Sequence, residues 1–97
     1  MISQAKEVAG ILKVLANENR LLIVCYLIQQ SMNVTQLHVK LSHLSQPAIS
    51  QHLATLKAHG IVDSEKQGNT IFYKIKDERV ETLIKTLKAN YCDIDLI

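Results

Sequence analysis

Tryptophan is absent, aromatic residues make up only 4% of the chain, and glycine, cysteine and proline number three, two and one. With so few rings, a core has to be filled mainly by Leu, Ile, Val and Ala. No Pro/Gly-rich linker and no internal repeat divides the 97 residues, so residues 1–97 read as a single domain with one modest core. Long apolar runs are missing too. The longest, "LLIVCYLI", is far shorter than a membrane span and reads as a buried helix. The opening "MISQAKEVAG" lacks the basic and apolar regions of an export signal, which makes the cytoplasm the expected location and keeps both cysteines reduced. No Cys/His/carboxylate constellation, phosphate-cradling glycine loop or close carboxylate pair stands out, so no enzyme and no cofactor are expected.

What is present is ordinary globular composition, 47% hydrophobic and 21% charged, with a net charge of +2. The distribution of charge is more informative than the total. Between His38 and Lys76, five lysines (40, 57, 66, 74 and 76) face only Asp63 and Glu65, as a phosphate-facing surface or a solvated one would.

Hydrophobic spacing predicts the elements. Ala5, Val8, Ile11, Leu12 and Leu15 recur at helical intervals from Gln4 to Leu15. Asn17 is placed to cap a second helix through "LLIVCYLIQQ", and Asn33 to cap a short third one with Val34, Leu37 and Leu41 on one face. Ser45 opens a fourth helix that tolerates Pro47 in its first turn and ends at Gly60. The period then changes: "IVDSEKQGNTIFYKIK" reads as a β-hairpin turning at Gly68-Asn69. Asp77 caps a last helix with Val80, Leu83, Ile84, Leu87 and Tyr91 as its stripe. The expected class is mainly α with a small β-hairpin, in the order α-α-α-α-β-β-α, which describes a winged helix-turn-helix.

The fourth helix suggests what it faces. Ile49, Leu53 and Leu56 share one side; Gln51 and Ala58 lie opposite, flanked by Pro47 and Ala54, with Ser50 at the edge. Amide and hydroxyl groups on a face poor in charge suit base edges in a major groove, and the small residues permit close approach. The DNA-binding candidates are therefore Ser45, Gln46, Ser50 and Gln51, supported by Lys57 and by Lys66, Gln67 and Asn69 at the hairpin tip. His52 lies nearer the apolar side and suits packing or a phosphate contact equally.

"LANENRLLIVCYLI", "LSQPAISQHLATLKAHGIV" and "GNTIFYKI" resemble the ArsR/SmtB repressors over nearly the whole chain, from about Ala5 to Cys92. The resemblance implies a homodimer paired through its first and last helices, with two recognition helices on successive major grooves of double-stranded operator DNA. Many members bind metal through Cys-x-Cys in the third helix, but "TQLHVKLSH" has no cysteine. Others use Asp and His on the last helix, but "DERVETLIKTLKANYC" has no histidine. His38 and His43 lack evident partners, so no metal site is expected.

Physics alone leaves the cysteines open. Cys25 is most simply a small buried hydrophobe, and Cys92 at a helix C-terminus gains nothing from the dipole. The resemblance adds a role, because "RLLIVCYLI" and "ANYCD" match the cysteine contexts of a branch in which such a pair is bridged by persulfide or oxidant, weakening DNA binding. It implies that Cys25 and Cys92 form the redox switch of a repressor whose inducer is a small oxidant or persulfide. A metal-responsive repressor on the same scaffold, or a winged-helix protein-interaction module without DNA affinity, are the alternatives. Two departures from the family pattern stand out: one residue more than usual in "KLSHLSQP", and the unmatched tail "DIDLI".

Overall fold

The computed structural model describes residues 1–91. Its elements are α1 (Ile2–Leu15), α2 (Glu18–Gln29), α3 (Val34–Lys40), α4 (Gln46–Ala58), β1 (Val62–Gln67), β2 (Thr70–Ile75) and α5 (Glu78–Asn90), the expected order. Cys92 and the "DIDLI" tail lie outside the described residues.

Each helix after the first starts on the side-chain cap expected from the sequence. Asn17 accepts hydrogen bonds from the Asn19 and Arg20 amides at 3.1 Å, and Ser45 from Ala48 at 3.2 Å. Asn33 and Gln36 form a reciprocal capping box at 2.8 and 2.9 Å. Asp77 accepts from the Arg79 and Val80 amides, and the Arg79 guanidinium beside it holds its carboxyl below the usual carboxylate range.

α4 ends in a Schellman motif. The Gly60 amide donates to the Lys57 carbonyl and the Ile61 amide to the Leu56 carbonyl, both at 3.0 Å, while Gly60 takes φ +71°. Leu56 and Ile61 are fully buried, supplying the apolar contact that accompanies such an ending. A Cβ on Gly60 would meet nothing within 4 Å, so its requirement is conformational rather than steric. Gly60→Ala is expected to cost ~1 kcal/mol, the penalty of an L side chain in the left-handed region. A melting temperature equal to or above that of wild type would contradict this.

The hairpin pairs Val62 with Ile75 through to Gln67 with Thr70, leaving Gly68-Asn69 as a two-residue turn. Gly68 alone there has positive φ, +64°, as the first central residue of a II′ turn requires. A feature with no period to announce it is the backbone bridge between Met32 and Tyr73, N–H to carbonyl in both directions at 3.0 and 2.8 Å. It stitches the entry of α3 to the outer edge of the wing.

Ile23, Val24, Leu37, Ile49, Leu53, Leu56, Ile61, Val62 and Val80 form the fully buried centre. Leu, Ile and Val dominate as expected, but no alanine is buried. Met32 and Cys25 enter the core instead, while Ala5, Ala9, Ala54 and Ala58 face outward and Ala48 is half-buried. The α1 stripe is largely uncovered within the chain. Of its residues only Leu15 is buried, while Val8 and Leu12 are about half exposed, at 49% and 47%. Leu87 of α5 and Tyr91, the residue that ends it, are likewise uncovered. Glu7 of α1 and Arg79 of α5 meet at 3.3 Å across the neighbouring groove, an exposed pair that orients more than it stabilises.

Candidate nucleic-acid interface

α4 is packed along one face and tied at both ends, which leaves its opposite face exposed. Ile49, Leu53 and Leu56 are at 0% exposure against the core. The turn leading into α4 is tied to the first turn of α2 by a 2.9 Å bond between His43 Nε2 and Asn19 Oδ1. At the other end the Lys57 ammonium donates to Ser64 Oγ at 2.6 Å, joining α4 to β1. His43, weighed as a metal ligand in the sequence, thus serves as an anchor. Among the described residues no group of three His, Cys, Asp or Glu side chains is arranged to hold a metal ion.

The outward face carries Gln46, Pro47, Ser50, Gln51, Ala54, Lys57 and Ala58, all exposed and with no acidic residue among them. Ser45 caps the helix, which does not exhaust a hydroxyl with one donor and two acceptor sites. Lys66, Gln67 and Asn69 are exposed at the wing tip. Ser50 of α4 and Asn69 of the turn line one open cleft, so helix and wing make a continuous surface. Thr35, Thr70 and Tyr73 share that cleft. Sequence periodicity could not single them out, because hydroxyl residues on exposed positions carry no pattern of their own.

His52 sits on the inward flank, partly buried, with Nδ1 shielded and unpartnered among the described residues; Arg20 Nε is in the same condition. Burial, then the Arg20 charge, pushes the imidazole pKa below its ordinary value. A neutral ring packed behind the helix suits the anchoring role better than that of a surface cation.

Cys25 is 4% exposed within α2. It borders a cavity of about 260 Å³ between α2 and α5, lined also by Ile28, Gln29, Ile84, Lys85 and Lys88. Burial pushes its thiol pKa up, and the Lys88 ammonium partly offsets this.

A short α3, a polar-faced α4 and a flanking hairpin define a winged helix-turn-helix transcriptional regulator. The model of the bacterial regulatory protein arsR family matches residues 17–64, from the cap of α2 into β1. The transcriptional activator HlyU of Vibrio cholerae is 42% identical over 82 residues, covering 84% of this chain and 75% of the relative. A biofilm growth-associated repressor of Agrobacterium fabrum is 39% identical over 92 residues, covering 95% and 78%. The solved structure of reduced HlyU from Vibrio cholerae superposes with a TM-score of 0.88 at 38% identity, covering 95% of this chain and 96% of that one. The chain belongs to the ArsR family of bacterial regulators.

Proposed function

We propose that this protein is a homodimeric repressor that occupies operator DNA while Cys25 and Cys92 are reduced and releases it when they are bridged. The observation that carries the DNA-binding reading is the exposed, acid-free amide and hydroxyl face of α4, continuous with the wing. Gln51 at its crest can donate and accept against adenine, while Lys66 neutralises phosphate.

Dimerisation draws support from α1. A 14-residue helix with only Val14 and Leu15 buried is marginal by itself, and its uncovered Val8 and Leu12 flank a groove shared with Leu83 of α5. A symmetry-related copy would cover this face.

The switch rests on the cysteine contexts, on the cavity beside Cys25, and on a relative whose reduced form has been distinguished structurally. With an organic persulfide, the terminal sulfur of RSSH passes to one thiolate, releasing RSH. The second thiolate then attacks the inner sulfur of the protein persulfide, giving the disulfide and releasing hydrosulfide. Bridging α2 to the end of α5 would shift the helix whose first turn anchors the approach to α4.

Fluorescence anisotropy with a duplex from the protein's own promoter and a scrambled duplex tests the interface. Gln51→Ala should lower operator affinity by about 1–3 kcal/mol and leave scrambled-duplex binding nearly intact. Lys66→Ala should reduce the salt slope by about one. Equal loss on both duplexes for Gln51→Ala, or an unchanged slope for Lys66→Ala, would remove that residue from its assigned role.

A further inference from the structure

We propose that the cleft between α3, α4 and the wing is a seat for one backbone phosphate of bound DNA, held by neutral hydrogen-bond donors rather than by lysine or arginine. This rests on the DNA-binding reading and adds to it residues that periodicity does not reveal. Thr35 of α3, Ser50 of α4, Asn69 and Thr70 of the hairpin and Tyr73 of β2 line the cleft, with Val34 on its apolar side. Asn33, committed to its capping box, and Ile71 complete the lining; the other five polar residues bring four hydroxyls and one amide from separate elements to this cleft. Among the described residues none of these side chains makes a hydrogen bond within the protein, so their donors are uncommitted.

The lining contains no Asp or Glu to repel an anion, and no Lys or Arg to supply a counter-charge. Ser, Thr, Asn and Tyr are standard donors to phosphate oxygens, and such contacts set register without reading sequence. The cleft is too open and polar to desolvate a free small molecule. A DNA strand is different, because α4 on one flank and the wing on the other already hold it, so the local contact need not repay the cost of association.

The donors are also rigidly placed. Tyr73 is locked by its backbone bridge to Met32, and its ring packs against the core. Thr35 lies within the Asn33–Gln36 capping box, and Ser50 adjoins fully buried Ile49. Pre-set donors lose little freedom on binding.

Neutral donors have a distinctive thermodynamic signature. They add affinity for every sequence but displace no extra counterion, so the salt slope should not register them. Thr35→Val and Tyr73→Phe remove one hydroxyl each while keeping shape. Each should weaken promoter and scrambled duplexes by the same factor, about tenfold for a hydrogen bond to a charged group, with the slope unchanged. Thermal unfolding of both variants checks that the fold is intact. Single methylphosphonate substitutions along the promoter duplex supply a second readout. One neutralised position should weaken wild type but have little further effect on the Thr35→Val/Tyr73→Phe protein.

Wild-type binding with unaffected variants would overturn the phosphate seat and leave the regulator reading standing. Loss confined to the promoter duplex would overturn it in favour of base contact, and a reduced slope in favour of a cationic site. Failure of wild type to bind either duplex would overturn both readings together.

Discussion

Leu12→Glu is expected to leave a folded monomer whose affinity for operator DNA is lower by about 10²–10⁴-fold, the loss that follows when two linked binding modules are separated. Leu12 is 47% exposed in one chain and belongs to the α1 stripe that lacks an internal partner. A carboxylate costs little there in an isolated chain, but pairing two copies would remove it from water without a compensating partner. Leu87→Glu, on the uncovered part of α5, should act in the same way. Sedimentation gives the mass and anisotropy the affinity. A dimeric mass for both variants would place the interface elsewhere, and tight operator binding by a monomer would sink the paired-groove reading.

The second large effect concerns the thiols. Persulfide treatment of the reduced protein should lower operator affinity by about 5–150-fold, the usual span of an allosteric coupling, and reductant should restore it. Cys92→Ser and Cys25→Ala should each bind like the reduced wild type and ignore the treatment. Release of Cys92→Ser by persulfide would exclude the bridge, and equal binding by wild type in both states would make the cysteines structural.

Burial of Cys25 would give such a switch a pH signature. Because the Cys25 thiol pKa is raised above its ordinary value, the neutral thiol dominates at pH 7 and the reactive thiolate grows as pH rises. In Cys92→Ser, alkylation of Cys25 should therefore be slow at neutral pH and accelerate by about tenfold per pH unit below its pKa. Fast alkylation at pH 7 would mean that α2 opens readily. The slow thiol also makes Cys92 the thiolate expected to attack the persulfide first.

Much of the architecture was legible before any coordinates. Asn17, Asn33, Ser45 and Asp77 cap the helices they were expected to cap, because a cap is a contact across two or three residues. Gly60 and Gly68 adopt the positive φ that their turns demand, again for local reasons. The two faces of α4 separated cleanly on a helical wheel, and the buried set Ile49, Leu53 and Leu56 agrees with it.

Contacts between distant segments were not legible. Hydrophobic spacing places Val8 and Leu12 on a stripe, but only packing shows that among the described residues they stay about half exposed. Met32 is a lone apolar residue between Ser31 and Asn33, without the alternation that signals a strand, yet it pairs with Tyr73. The neighbourhood of Arg20 and His52, and the bond from Asn19 to His43, likewise join parts of the chain that no local period connects.

The sequence by itself determined the helices, the caps that open the last four, the hairpin turn and which side of α4 faces outward, since each depends on neighbours within a few residues. Tertiary structure decided which apolar stripe stayed uncovered, how α2 anchors the recognition helix, and that Thr35, Ser50, Asn69, Thr70 and Tyr73 share one cleft. Those outcomes depend on where the chain returns in space, and folding joins Thr35, Thr70 and Tyr73, whose positions carry no signal, to Ser50 and Asn69, whose positions do.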